Sequence, residues 1–230
     1  MDSEELLRRV RALRAKGHSP KEIARALGVS PATVAPLVRT IAAEHQAEVT
    51  LGEVVGCWVS PGWSQGLIVN GRLPWPEVDD DTGEKGLVSV LVERQQRRGK
   101  VAVCGWLVDV WCLGVKNVIG PRSMDSRRAA EFKDSFFDAY RARPLEAPVE
   151  LAQELVFGAV EYARSLGFAP ARGFAATTGH LGAWAGLSAI TFGRDGKPSF
   201  VQGPHDDAAA VLQTLERSVG RDNFEFLVVA

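Results

Sequence analysis

The sequence has 230 residues, of which 46% are hydrophobic and 24% are charged, and its formal net charge is -1. This length accommodates one large domain, or a small domain followed by a medium one, each with its own core. A chain so close to neutral is not a strongly basic protein that coats DNA by charge alone, because such a protein neutralises many phosphates. Any contact with DNA must therefore come from a local surface.

The apolar segments and the cysteines narrow the class further. The longest apolar stretch, VAVCGWLVDVWCLGV, is interrupted by glycine and by Asp109, and it is shorter than the ~20 residues of a transmembrane helix. Met1 is followed by the acidic residues DSEE, which differs from a secretory signal. The three cysteines have no CxxC spacing, so we expect buried thiols rather than disulfides or zinc ligands. We expect a cytoplasmic protein with no membrane partner, metal or cofactor.

The first 48 residues predict three helices. Residues 3–16 place leucine and valine at helical spacing, with a glycine directly after them. The segment SPKEIARALG then has the serine, proline and glutamate of a helix start and the glycine of a helix end. The segment SPATVAPLVRTIAAEH repeats the same start signal and runs to about His45. These patterns predict an N-terminal trihelical domain over residues 1–48.

Residues 20–39 resemble the helix-turn-helix of bacterial DNA-binding regulators and recombinases. Ala24 occupies the small position at which the two helices cross, and Gly28 makes the left-handed turn between them. The apolar positions that hold the two helices at their angle also match, and they are Ile23, Leu27, Val29, Val34 and Leu37. The resemblance implies that the helix after the turn enters the major groove of double-stranded DNA.

The same resemblance assigns residues to DNA contacts. Two lie near the phosphates and the others face the major groove, and in chain order they are Ser19, Lys21, Ser30, Ala32, Thr33, Ala35, Pro36 and Arg39. Ala32 and Ala35 offer only methyl contacts, whereas Arg39 is able to bind a guanine through two hydrogen bonds. Pro36 lacks the amide that would bond to the Ala32 carbonyl, so we expect a kink at a cost of ~3 kcal/mol. Two uses of the unit remain open, namely DNA reading, or protein contact and dimerisation without DNA.

Residues 49–230 predict a larger α+β domain with a mainly antiparallel sheet. Strands are expected at EVVGCWVS and GLIVN, and then at GLVSVLVER and KVAVCGWLVDVW, which form a hairpin across QQRRG. Helices are expected over residues 125–141 and over PVELAQELVFGAVEYARSLGF. The last part predicts a hairpin that turns at Asp195 and Gly196, then the helix DDAAAVLQTLERSVG and the strand NFEFLVVA. Three roles are open for this domain: dimerisation, sensing of a small-molecule effector, or additional DNA contact.

Asp109 is unusual because a carboxylate inside an apolar strand is costly unless it is paired or used. With Lys116 in the following turn, it is a candidate acid/base or metal-binding group at the end of the sheet. His205 and Asp206, directly before a predicted helix, are further catalytic candidates. Simpler interpretations are that Asp109 pairs with Lys116 or an arginine and caps the turn, and that the two aspartates at 206 and 207 cap the helix.

No specific enzyme motif accompanies these residues, since GxSxG, Walker, HExxH and dinucleotide fingerprints are all absent from the sequence. His180, in the glycine-rich segment TTGHLGAWAG, is one more candidate. The segments LVDVWCLGVKNV, LVFGAVEYARSLGF and FGRDGKPSFVQGPHDDAAAVLQTLERSVGRDNFEFLV resemble an uncharacterised bacterial protein family. The resemblance implies one continuous domain over about residues 86–230 and assigns no residue a catalytic role.

We therefore predict a DNA-binding protein, a transcriptional regulator that reads two half-sites of double-stranded DNA as a homodimer. One alternative is a nuclease or other hydrolase that is directed to nucleic acid and has its chemistry around Asp109. The other alternative is a protein-interaction module that does not bind DNA.

Overall fold

The structure is a computed structural model that describes residues 3–15, 20–30, 33–34, 37–38, 52–71, 73–76, 84–184, 186 and 188–227. The chain divides into two compact units, Met1–Gly52 and Glu53–Ala230. The predicted boundary at residues 48 and 49 lies outside the described residues. None of the helices in the described ranges is long and apolar enough to cross a membrane.

The first unit contains two helices with complete bounds, α1 over Ser3–Ala15 and α2 over Pro20–Leu27. Of the predicted third helix, residues 33, 34, 37 and 38 are helical. The remainder of that helix, including the kink expected at Pro36, lies outside the described residues.

One apolar cluster lies between these helical segments. Its fully buried members are Val10, Ile23, Ala24 and Val34, and its partly buried members are Leu6, Leu13, Leu27, Val29, Leu37 and Val38. In the first helix, Leu6, Val10 and Leu13 stand at the three- and four-residue spacing from which that helix was predicted. The cluster is therefore the core of the first unit.

A five-stranded sheet forms the centre of the second unit. In spatial order its strands are β5 (Gly114–Asp125), β4 (Lys100–Asp109), β3 (Leu87–Gln95), β1 (Val54–Val59) and β6 (Leu145–Glu146). Each neighbouring pair is antiparallel. The α+β class and the mainly antiparallel sheet are thus confirmed.

The remaining elements surround this sheet. The helices are α3 (Ser126–Phe136), α4 (Val149–Gln153), α5 (Ala159–Ser165), α6 (Phe174–Leu181) and α7 (Ala208–Ser218), and a π-helical turn over Glu154–Gly158 joins α4 to α5. Two small strand pairs complete the unit. Strand β2 (Ile68–Val69) pairs antiparallel with β7 (Ile190–Thr191), and β8 (Ser199–Val201) pairs parallel with β9 (Glu225–Leu227).

Both faces of the sheet are covered, as the sequence of β4 requires. Side chains alternate along a strand, so Cys104 and Trp106 face one way while Val101 and Val103 face the other. The first pair belongs to a large apolar core shared with α4, the π-helical turn, α5 and α6. The second pair packs against aromatic residues of α3. Apolar runs in central strands are explained by burial on both faces.

Three predictions about this unit were wrong. Lys116, expected in a turn, lies within β5, which was not predicted as a strand. Glycine and Pro121 obscured its pattern, but β5 is an edge strand, where a missing N–H need not break the ladder. The hairpin predicted at Asp195 and Gly196 is limited to its turn: Arg194 and Lys197 pair across it, whereas the strands β7 and β8 pair with β2 and β9 rather than with each other. His180 lies in α6 rather than in a loop.

Trp111 follows β4 and is closely surrounded by glycine. Its side chain is 5% exposed, and its indole N–H donates to the Gln65 carbonyl at 2.8 Å. At Gly86, where φ is +84°, an added Cβ would lie 2.5 Å from the indole Cγ. No side chain larger than hydrogen fits there without movement of the indole.

Gly86→Ala is therefore expected to lower the free energy of unfolding by about 1–3 kcal/mol more than Gly99→Ala does. Gly99 is the matched control because its φ is also positive, at +69°, while nothing lies within 4 Å of an added Cβ. Urea unfolding of both variants measures the difference. Equal losses would show that the indole moves aside at no cost.

Candidate nucleic-acid interface

Helix α2 ends in a Schellman motif, a backbone arrangement in which two amides bond back to the last turn. The Val29 amide donates to the Ala24 carbonyl at 3.1 Å, and the Gly28 amide donates to the Arg25 carbonyl at 3.4 Å. Gly28 has φ +64°, which confirms the predicted left-handed turn. Glycine adopts this conformation without the steric cost that a Cβ brings, so the turn direction is encoded by a single residue.

The next helical segment starts at Ser30. Its hydroxyl oxygen accepts from the Thr33 amide at 3.2 Å, and it lies 2.8 Å from the Thr33 hydroxyl oxygen. Ser30 is thus an N-cap, which satisfies an amide that has no partner within the helix. Both side chains are exposed. One hydroxyl hydrogen is used between the two side chains, and the other has no acceptor among the described residues.

Ala24 lies in the apolar cluster of the first unit with only 3% of its surface exposed, beside the fully buried Ile23 and Val34. Its methyl group allows α2 and the residues after the turn to share one compact core. A longer side chain at this position would overfill that core. The described part of residues 20–39 thus places every predicted apolar contact in a single cluster.

The structure describes three of the eight residues that were predicted to contact DNA. Ser30 and Thr33 are exposed beyond the turn, and Lys21 lies in the first turn of α2. The others lie outside the described residues, and they are Ser19, Ala32, Ala35, Pro36 and Arg39.

Asp109, a predicted catalytic candidate, caps the turn between β4 and β5. Its side chain is 5% exposed, and its Oδ1 atom accepts from the amides of Trp111 at 3.0 Å and Cys112 at 2.9 Å. Burial raises the pKa of this carboxyl to about 6, although the two amides act in the opposite direction. The simpler interpretation, a turn cap, therefore accounts for the contacts of Oδ1.

Lys116 pairs with Asp206 rather than with Asp109. The Lys116 Nζ atom lies 2.5 Å from the Asp206 Oδ2 atom, which also accepts from the Gly203 amide at 2.8 Å. His205 is exposed, and the cap of α7 is the neighbouring aspartate at position 207, which accepts from the Ala210 amide at 3.1 Å. These contacts fasten β5 to the loop before α7. Within the described residues, no group of three or more His, Cys, Asp or Glu side chains is placed to hold a metal ion.

The cysteines and His180 belong to the interior. Cys57, Cys104 and Cys112 are free and buried, as predicted. Burial, reinforced by the nearby Asp109 carboxylate, raises the pKa of the Cys112 thiol. His180 is 4% exposed, its Nε2 atom lies 3.0 Å from the Val92 carbonyl oxygen, and burial lowers its pKa. It is therefore a neutral core residue near pH 7, and not part of an exposed loop.

The sequence reading missed a group of basic side chains at one end of the sheet, which we call the hairpin cations: Arg97, Arg98, Lys100 and Arg122. All of them are exposed. The first three are visible in the sequence as the basic segment between β3 and β4. Arg122 joins them only through the pairing of β4 with β5, in which it stands opposite Val103.

Comparison of this chain with family models, with curated proteins and with solved structures finds no match. The resemblances noted from the sequence therefore remain predictions, and a proposal of function must stand on the residues themselves.

Proposed function

We propose that this protein binds double-stranded DNA and regulates transcription, with residues 20–39 as a helix-turn-helix. One observation carries the proposal: α2, the left-handed turn at Gly28 and the helix start capped by Ser30 follow each other with Ala24 buried beneath them. This combination supports a reading helix that begins at Ser30. Thr33 is exposed one turn into that helix, where a groove-facing residue belongs.

Only some of the residues that are predicted to face DNA have side chains that form hydrogen bonds. The hydroxyl hydrogen that Ser30 and Thr33 leave free suits a phosphate oxygen or a base acceptor. Arg39 suits a guanine, and a bidentate contact of that kind is worth about 1–3 kcal/mol of discrimination. Because one such helix gives little affinity, we propose that two copies bind half-sites about one helical turn of DNA apart.

Chemistry around Asp109 receives no comparable support. Its Oδ1 is held by two backbone amides, and Lys116 is paired with Asp206 instead. We therefore do not propose an enzyme.

The test uses a duplex selected by the intact protein from a randomised pool. The double variant Thr33→Ala, Arg39→Ala is expected to raise the Kd for that duplex about tenfold or more, because it removes a hydroxyl contact and the guanine contact. Arg217→Ala, an exposed arginine of α7, is the control and should leave the Kd unchanged. Unaltered binding by a folded double variant would overturn the assignment of the reading helix.

A further inference from the structure

We propose that the hairpin cations form a second DNA-binding surface, which holds the phosphate backbone of a duplex. This inference rests on the proposed function and deepens it, because it assigns the second unit a DNA contact of its own. The surface belongs entirely to the second unit.

The strand pairing places the hairpin cations at one end of the sheet, with Arg122 on the face of Val103 and Lys100 on the opposite face. Lys100 stands opposite Asp125 and Val103 stands opposite Arg122 in the β4–β5 pair, while Arg97 and Arg98 lie in the loop that joins β3 to β4. With about 3.3 Å per residue along a strand and about 4.8 Å between strands, the Lys100 and Arg122 backbones are on the order of 11 Å apart. A duplex segment of that length carries about six negative charges.

None of the hairpin cations forms an ion pair within the part of the chain that the structure describes, although Asp125 stands across from Lys100 in the β4–β5 pair. The neighbouring arginines of α3 differ in this respect. Arg127 lies 3.1 Å from Glu131, and Arg128 lies 3.8 Å from Asp125. The unpaired charge at this end of the sheet is notable in a chain whose net charge is -1. It is a local surface of the kind that a near-neutral DNA-binding protein requires.

One local feature places a cation here against the preference of the backbone. Arg98 has φ 61° and ψ 36°, a left-handed conformation that costs a residue with a side chain more than it costs glycine. An anionic ligand bound by this side chain would offset that cost.

The polar neighbours favour nucleic acid over a membrane surface. The Ser123 hydroxyl donates to the Gln96 Oε1 atom at 2.5 Å, and Gln95 is exposed beside them. Hydroxyl and amide groups commonly accompany arginine at phosphate and sugar contacts. A membrane-binding loop would instead carry apolar side chains for insertion, and the segment QQRRGK contains none.

The experiment measures the affinity of the full chain for a duplex as a function of salt concentration. In the patch variant, Arg97, Arg98, Lys100 and Arg122 are each replaced by glutamine. The plot of log Kobs against log salt should lose about 0.9 of slope for each phosphate contact removed, or about 2–4 in total. In the control variant, four other exposed arginines with no ion pair in the described ranges are replaced by glutamine, namely Arg141, Arg143, Arg172 and Arg217. The control has the same charge as the patch variant and should keep the wild-type slope.

A single substitution distinguishes the loss of a DNA contact from a loss of folded protein. Arg98→Gly relieves the left-handed conformation, so it should raise the melting temperature while it weakens binding to DNA. A gain in stability together with a loss of affinity cannot come from partial unfolding. A gain in stability with unchanged affinity would show that Arg98 does not contribute to the DNA-binding surface.

The outcomes separate this inference from the proposed function. If the patch variant keeps the wild-type slope and affinity, the hairpin cations do not bind DNA, and the assignment of the reading helix is unaffected. If the patch variant loses binding while the double variant Thr33→Ala, Arg39→Ala binds like the wild type, the assignment of the reading helix is wrong and the hairpin cations do bind DNA. If the wild-type protein binds anionic vesicles but no duplex, both are wrong.

Discussion

The free energy of unfolding of Asp109→Asn is expected to rise by about 3 kcal/mol relative to that of the wild type as the pH increases from about 4 to about 7. Burial raises the pKa of Asp109 from 3.8 to about 6 in the folded protein. The unfolded chain therefore releases the proton before the folded chain does. The contribution of Asp109 to wild-type stability falls over this interval and is lowest once Asp109 is ionised in both states, whereas asparagine does not titrate.

Urea unfolding at a series of pH values tests this expectation, because it compares the free energies of unfolding of the two proteins. Asp125→Asn is a control, because its difference in free energy of unfolding from the wild type should change with pH in the opposite direction. The Arg128 amide donates to the Asp125 carboxylate at 2.9 Å and lowers its pKa from 3.8, so the wild type should gain on that variant as the pH rises through the acid range below about 4, and should keep that gain at higher pH. A constant difference between Asp109→Asn and the wild type would show that Asp109 is not desolvated.

Trp106→Ala is expected to lower the free energy of unfolding by about 3–5 kcal/mol. Trp106 is fully buried in the middle of β4, and its indole N–H donates to the Thr177 hydroxyl at 3.0 Å. Its truncation leaves a cavity between the sheet and α6 and removes that hydrogen bond. Thr177 still donates to the Phe174 carbonyl at 2.8 Å, so the hydroxyl keeps one partner.

Trp106→Phe is the matched control, because it keeps most of the apolar volume and should cost less than the alanine variant. Chemical denaturation of both variants measures the two losses. A loss below about 1 kcal/mol for Trp106→Ala would contradict the position of this side chain at the centre of the core.

Features that depend on neighbouring residues were accessible from the sequence. The end of α2 at Gly28 and the start of the next segment at Ser30 follow from backbone preferences that act over a few residues. The turn cap by Asp109 is of the same kind, since its two amide donors, those of Trp111 and Cys112, lie two and three positions further along the chain. In each case, the residue type and its immediate context determine the conformation.

Features that depend on tertiary placement were not accessible. Lys116 and Asp206 are 90 positions apart, and no local pattern distinguishes that pair from Lys116 with Asp109. Arg122 joins the hairpin cations only because β5 pairs with β4, and β5 was missed because its glycine and proline resemble turn signals. The basic segment between β3 and β4 was visible, but the sequence alone did not show whether acids neutralise it.

The two proposed surfaces explain how a near-neutral chain with a limited reading helix would achieve useful affinity. Residues 20–39 would supply base contacts, while the hairpin cations would supply sequence-independent phosphate contacts. Two weak contacts on one chain reinforce each other when both engage the same duplex, since the second binding event is intramolecular.

The most direct test of DNA binding by residues 20–39 is photo-crosslinking of the intact protein to its selected duplex. A photoreactive amino acid replaces Thr33 in one sample and Gln213, exposed on α7, in another. We predict crosslinks from position 33 to bases within the selected site, at a yield well above that from position 213. Equal yields at the two positions, or crosslinks from position 33 that ignore the selected site, would contradict the proposed function.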